Sequence, residues 1–281
     1  MTKSDSGAPE FPAFDPSGKV VVVTGAASGI GKSLAELFAA SGARAVVATD
    51  LNGPGAIKVA ESIGSGARGV ALDVADREAV EALVADVESN EGPIDVFISN
   101  AGYGVGGGID LPDDEWKRMM EVHTWSHLYA ARAVLPGMVE RGGGYLLNTA
   151  SAAGLLTQMD SGPYAVSKHA AVAFAEWVSI NYGDRGIGVS VLCPQAVRTN
   201  ILGNRRQAGD APPAAPKGRQ AGQDGVLEPE QVAQDCLDAM REGRFLVLPH
   251  PEVETYFQRK ATDYDRWLGG MRRFRRRLWG D

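Results

Sequence analysis

Tyr164 and Lys168 stand four residues apart in Y-A-V-S-K, and Ser151 precedes the tyrosine by thirteen positions. Four residues is about one helical turn, so a phenol and an ammonium at this spacing project from one helix face and can meet over a shared ligand. An ammonium beside a phenol favours the phenolate over its ordinary pKa of about 10, which suits the pair to giving and taking a proton. Y-x-x-x-K also arises by chance on surface helices, so the pair gains weight only from what surrounds it.

The surroundings include a glycine-rich turn, T-G-A-A-S-G-I-G, from Thr24 to Gly31. It follows an apolar run and opens a helix expected over 30–41. Gly25, Gly29 and Gly31, with Ser28 and Ile30 between them, allow a sharp turn and bring backbone N–H groups close to a pyrophosphate. The macrodipole at a helix N-terminus favours that negative charge. An acidic residue about 20 positions on strengthens such a motif, and Asp50 ends the next apolar run. A carboxylate there can accept hydrogen bonds from adenosine ribose hydroxyls and would repel a 2′-phosphate. Neither Leu51 nor Asn52 is basic, so the expected cofactor is NAD rather than NADP. The other reading of Asp50 is a cap for the segment that follows it.

These residues need a scaffold. Apolar runs at 19–24, 43–50, 69–74, 94–100, 144–150, 188–194 and 245–249 alternate with amphipathic stretches long enough for crossover helices. Continuous Val/Ile/Leu runs mark strands covered on both faces. The expected fold is α/β, a single domain built as a three-layer, doubly wound parallel sheet of about seven strands. Asp73 and Val74 end the third run and Asn100, Ala101 and Gly102 the fourth, at the carboxyl edge where open α/β sheets bind ligands.

Bulk properties narrow the function further. The chain has 281 residues, 44% of them hydrophobic, and a formal net charge of −7. An acidic surface argues against nucleic acid as a partner. The two cysteines, Cys193 and Cys236, show no C-x-x-C spacing and the histidines do not cluster, so neither a disulfide framework nor a metal site is expected. The first residues carry no apolar signal core and no long apolar run occurs, which fits a soluble, cytoplasmic protein. Residues 1–18 read as a flexible arm and 19–250 as the catalytic domain. Within it, about 201–228 is a mobile lid on the ligand side or an inert insertion. Residues 251–281 form a basic amphipathic helical extension.

Taken in order, T-G-x-x-x-G-x-G, D-V, N-A-G, the Ser-Tyr-Lys spacing and C-P-x-x-V-x-T at 193–199 resemble the short-chain dehydrogenase/reductase family from about Lys19 to Pro249. The resemblance implies a single Rossmann-type domain that reversibly oxidises an alcohol. In that family's pattern Tyr164 exchanges the proton, Lys168 binds the nicotinamide ribose and lowers the tyrosine pKa, and Ser151 hydrogen-bonds the carbonyl oxygen. Pro194, Val197 and Thr199 would lie along the nicotinamide carboxamide and a neighbouring phosphate. A ketone accepting hydride develops alkoxide character, which a hydroxyl and a phenol stabilise, while the nicotinamide carries the hydride.

Two positions depart from the family. His123 occupies the place of a relay asparagine, where it either relays protons with a pKa near 6.5 or packs as a structural histidine. Gln195 replaces a glycine after Cys-Pro and is expected to narrow the nicotinamide end of the pocket. Tyr103, Leu155, Leu156 and Met159 are expected to form an apolar wall that prefers a small-molecule hydrophobic secondary alcohol or ketone to a phosphorylated or carboxylated one. Arg198, Arg205 and Arg206 near the lid either bind an anion or are solvated.

The helix over 163–182 is apolar almost all round, which points to a homo-oligomer, a dimer or tetramer. Phe257, Ala261, Tyr264, Leu268, Met271 and Leu278 recur at helical spacing beside five arginines between 272 and 277. That tail is expected to dock on protein, with an anionic membrane surface as the less favoured partner. The alternatives to an NAD-dependent enzyme are a catalytically weak NAD(H) sensor and an NADP-dependent carbonyl reductase. A related epimerase would need a longer substrate domain.

Overall fold

The computed structural model describes residues 14–201 and 222–280. Most of the expected arm and the middle of the expected lid, with Arg205 and Arg206, lie outside them. Seven parallel strands form one sheet in the order β3-β2-β1-β4-β5-β6-β7. The strands are β1 (Val20–Thr24), β2 (Ala45–Asp50), β3 (Ala67–Ala71), β4 (Val96–Ser99), β5 (Gly144–Thr149), β6 (Ile187–Leu192) and β7 (Leu246–Val247).

The Val-rich runs are central strands because both of their faces are covered. Val20 and Val22 pack into the layer that holds Val84, Val134 and Val178, while Val21 and Val23 pack into the layer that holds Leu34, Phe38 and Leu237. All four β1 valines are fully buried, each worth about 1.5–3 kcal/mol of transfer free energy. The first layer is built from α3 (Arg77–Asn90), α5 (Ser126–Glu140) and α7 (Gly162–Tyr182). The second is built from α1 (Gly29–Ala40), α2 (Gly53–Ile63) and α8 (Pro229–Arg241). Shorter helices α4 (Asp113–Met120) and α6 (Ala153–Leu156) flank the carboxyl edge, and a π-helical turn at Glu121–Trp125 joins α4 to α5. The strand order reverses between β1 and β4, which places the ligand crevice of a doubly wound sheet there.

The third strand stops earlier than the apolar run suggests. Beyond Ala71, Leu72 donates its N–H to the Asp50 carbonyl (2.9 Å), and Asp73 Oδ1 accepts from the Ala75 N–H (3.0 Å). Asp73 and Val74 therefore belong to the turn after β3. Phe14, just before the sheet, stacks against Phe38 and Tyr145 with ring centroids 6.1 and 5.2 Å apart, so the end of the expected arm is docked.

The expected tail helix is two helices, α9 (Glu252–Thr262) and α10 (Tyr264–Trp279). Asp263 breaks them with φ −150 and ψ 92, and its Oδ1 caps α10 by accepting from the Arg266 N–H (3.0 Å). The break resets the helical register. Val253, Tyr256 and Trp267 pack on the core, whereas Phe257, Tyr264 and Leu268 from the expected stripe are exposed. Among the described residues no helix is long and apolar enough to cross a membrane.

Candidate active site

The crevice is framed by hydrogen bonds that join the tips of three strands. Thr24 Oγ1 at the end of β1 accepts the N–H groups of Asn100 (2.9 Å) and Ala101 (3.0 Å) and donates to the Ile98 carbonyl (3.2 Å). Asn100 Nδ2 donates to the Thr24 carbonyl (3.0 Å), and its Oδ1 accepts from Thr149 Oγ1 on β5 (3.2 Å). Both ends of the Asn100 amide thus serve as a strut.

The glycine turn lies directly beside this strut. Gly25 has φ +68, and a Cβ on it would sit 2.8 Å from Ala101 Cα. A Cβ on Gly31 would meet the Gly25 carbonyl oxygen at 2.2 Å, so α1 can approach the turn only through glycine. Thr199, beyond β6, covers the same turn, because a Cβ on Gly29 would lie 2.9 Å from its Cγ2. Ser28 makes no side-chain cap and the first turn of α1 carries no acid. By contrast, α2 and α3 are capped by Asn52 and Asp76. A helix N-terminus without a side-chain cap suits an anion.

Asp50 is not the cap of α2. Its Oδ2 accepts the Ala27 N–H (3.0 Å) and its Oδ1 the Asn52 N–H (2.8 Å), which binds the glycine turn to the end of β2. Each carboxylate oxygen keeps further lone-pair capacity. Asp73 is held by Arg118 of α4, whose Nη2 reaches Oδ1 and Oδ2 at 2.9 and 2.8 Å. Arg118 carries no motif and sequence reasoning passed over it. Val74 is buried. These contacts suit a dinucleotide: a close backbone cradle, an open helix N-terminus and a carboxylate at the second strand.

Ser151, Tyr164 and Lys168 come together as the spacing predicts. Ser161 caps α7 by accepting the Tyr164 N–H (3.4 Å), and Lys168 follows one turn later. Ser151, just past β5, accepts the Ala153 N–H (3.1 Å) and donates to the Pro194 carbonyl (3.4 Å). Burial pushes the Tyr164 phenol above its ordinary value, while the nearby Ser151 hydroxyl pulls the other way. Lys168 Nζ donates to the Thr149 carbonyl (2.8 Å) and lies 5.7 Å from the Tyr164 ring centroid. Burial lowers its ammonium to about 7.

His123 is fully buried in the π-helical turn. Its Nε2 accepts the Tyr103 N–H (3.2 Å) and its Nδ1 lies 3.0 Å from Ser167 Oγ, which itself donates to the Tyr164 carbonyl (3.1 Å). Those roles require a neutral ring with its proton on Nδ1. Burial, followed by the charge of Lys168, holds its pKa well below the usual imidazole value. Of the two readings of His123, the geometry favours the structural one.

Gln195 is held by the C-terminal stem of the expected lid. Its Nε2 donates to Asp224 Oδ2 (2.8 Å), and Tyr256 of α9 donates its hydroxyl to Asp224 Oδ1 (3.0 Å). The described stems of the lid also pair, with Val197 bridged to Leu227 and the Arg198 N–H on the Leu227 carbonyl (2.9 Å). Arg198 is paired with Glu228 at 2.7 Å. Leu155 and Leu156, expected at the pocket wall, are core residues of α6. Cys193 and Cys236 are buried free thiols, and no cluster of metal-binding side chains occurs among the described residues.

A sequence model of the family described as short chain dehydrogenase matches residues 19–210. The chain is 34% identical over 242 residues to 1-deoxy-11-beta-hydroxypentalenate dehydrogenase of Streptomyces exfoliatus, covering 84% of each chain. It is 33% identical over 223 residues to 3beta-hydroxysteroid dehydrogenase 2 of Eggerthella lenta, covering 77% of this chain and 85% of that one. Its fold is similar to the crystal structure of a short chain dehydrogenase/reductase from Burkholderia phymatum in complex with NAD. There the TM-score is 0.80 at 29% identity, over 90% of this chain and 96% of that one. Motifs, sheet order and relatives agree: the chain belongs to the short-chain dehydrogenase/reductase family of Rossmann-fold oxidoreductases.

Proposed function

We propose that the protein interconverts a hydrophobic secondary alcohol and its ketone, with NAD(H) as cofactor. The observation behind this is the convergence of Ser151, close enough to the Tyr164 phenol to act on its acidity, with Tyr164 and with Lys168 one turn along α7, at the carboxyl edge of the sheet next to the glycine turn.

Gly25, Ser28, Gly29, Ile30 and Gly31 would hold the pyrophosphate, and Asp50 the adenosine ribose. The backbone at Asn100, Ala101 and Gly102, together with Asp73 and Val74, would line the adenine and ribose side. Pro194, Val197 and Thr199 would line the nicotinamide side. When bound, the nicotinamide supplies the hydride acceptor or donor. Tyr164 takes the hydroxyl proton during oxidation and returns it during reduction, and Ser151 steadies the oxygen as its charge changes. Lys168 orients the tyrosine and the ribose.

Support for NAD over NADP comes from Asp50, which has no cationic partner among the described residues and would repel a 2′-phosphate. Two relatives are named as dehydrogenases of a hydroxypentalenate and a 3beta-hydroxysteroid, which favours a bulky hydroxylated substrate. The outer face of α7 exposes Val166, Trp177 (53%) and Ile180 (80%), which supports a homo-oligomer joined through that helix. A cytoplasmic location fits the two free thiols. The test is a panel of aliphatic, alicyclic and steroid alcohols assayed with NAD and with NADP. Turnover with NAD and a kcat/KM for NADP at least about tenfold lower is expected. A preference for NADP overturns the cofactor assignment.

A further inference from the structure

Helix α10 carries six arginines and one aspartate between Tyr264 and Trp279 in a chain of net charge −7. Leu268, Met271, Arg272 and Arg275 recur at i, i+3, i+4 and i+7, which puts them on one side of the helix. Together with Met159 they line a surface trough of about 360 Å3, within the roughly 300–1,000 Å3 of small-molecule sites. Met159 belongs to the segment between Ser151 and Tyr164. That segment is fixed at the site by the Gly107 N–H on the Asp160 carbonyl (2.8 Å) and the Gly162 N–H on the Gly107 carbonyl (2.9 Å). Thr157, two residues before Met159, holds φ +77, a strained value for a β-branched residue that the surrounding packing must enforce. On the other side, buried Lys260 of α9 donates to the Leu155 carbonyl (2.6 Å), which clamps the extension to α6. The trough thus joins the catalytic segment to the C-terminal extension.

Its chemistry is mixed in a particular way. Among the described residues, three apolar side chains form one part and two guanidinium groups the other, and no carboxylate lines it. Arg272 has no ion pair among the described residues. A helix lying on a membrane keeps its charges on the side opposite its apolar stripe, whereas Arg275 stands on the stripe of Leu268 and Met271.

We infer that this trough receives the carboxylate-bearing end of an elongated hydrophobic substrate, with Met159, Leu268 and Met271 covering hydrocarbon and Arg272 and Arg275 holding the anion. The inference rests on the alcohol-oxidation reading and gives its substrate a second, charged end. Guanidinium groups suit a carboxylate because their donors match its two oxygens.

The test compares dodecan-2-ol with the dodecanoate that carries its hydroxyl at the same, penultimate carbon. Assays use the full chain, Arg272→Gln/Arg275→Gln, and Arg273→Gln as a control that does not line the trough. Binding of plain dodecanoate is measured in parallel by calorimetry. For the hydroxy acid, the double variant should raise KM about tenfold with little change in kcat, and it should weaken dodecanoate binding by about the same factor. KM for dodecan-2-ol and all constants of Arg273→Gln should stay within about twofold. Equal effects of the double variant on acid and alcohol, or dodecanoate binding indifferent to it, overturn the inference. If neither alcohol is oxidised, the enzymatic reading of these substrates fails and calorimetry alone decides the trough. Sedimentation with phosphatidylglycerol vesicles that needs Arg273 as much as Arg272 assigns α10 to a lipid surface and also overturns the proposal.

Discussion

His123 Nδ1 lies 3.0 Å from Ser167 Oγ, and Ser167 in turn donates to the carbonyl of Tyr164. The imidazole is therefore part of the frame that sets the tyrosine's helix, and its rings stack edge-on to Tyr164 at 5.4 Å between centroids. Because burial keeps it neutral, its titration should not appear in the pH–rate profile around neutrality.

Replacing His123 by asparagine should preserve one acceptor for the Tyr103 N–H and one donor toward Ser167. Activity is expected within about fivefold of the parent, with the same profile shape. His123→Leu removes both and should cost about 1–3 kcal/mol of stability, read as a lower urea midpoint. A neutral-pH inflection that disappears in His123→Asn would restore the relay reading.

The extension and the lid stems meet at Asp224. One carboxylate accepts from Gln195 at 2.8 Å and from Tyr256 at 3.0 Å, so the loop after β6 and helix α9 share a single acceptor. Asp224→Ala should cost about 1–2 kcal/mol. Thermal melting should then fall by roughly 2–8 °C for a chain of this size. Gln195→Gly should lose less, since Tyr256 keeps its bond. An Asp224→Ala melting curve superimposed on the parent's would show that this junction contributes nothing.

Much of this was legible in the sequence, for physical reasons. Strands such as Val20–Thr24 are buried on both faces, so their apolar runs are continuous and their number could be counted. The glycine turn and the Ser-Tyr-Lys spacing are local patterns, and local patterns survive folding intact. What stayed hidden depends on contacts distant in sequence. Arg118 meets Asp73 from 45 residues away and Asp224 meets Gln195 from 29. Neither distance leaves a periodic trace. The tail was misread because Asp263, an ordinary polar residue in a helical pattern, acts as a cap and resets the register of α10. The burial that raises the Tyr164 phenol and lowers the Lys168 ammonium was also out of reach, since it is set by packing from residues distant in sequence.

His127, one turn beyond His123 on the same side of its helix, is buried with no hydrogen-bond partner on either ring nitrogen among the described residues. Burial, then the nearby Lys168 charge, lowers its pKa from the ordinary 6.5 to about 3. Between those values the unfolded chain takes up a proton that the folded chain refuses. Stability from this group is therefore full above about 6.5 and lost as pH falls toward about 3. His127→Leu should be at least as stable as the parent at pH ~7, because an unsatisfied polar group costs about 1–3 kcal/mol. It should also lose less between pH ~7 and ~4.5. Urea midpoints at the two pH values provide the check; the same loss in both proteins would remove His127 from the acid response.

The most direct measurement is Tyr164→Phe, assayed for turnover of the best alcohol in the panel and, separately, for NAD binding by calorimetry. The ring and its packing survive and only the hydroxyl is lost. Turnover should fall by about 10^2–10^4-fold, with the dissociation constant for NAD within about threefold of the parent. Turnover retained at the parent's level, with the cofactor still bound, would contradict the account.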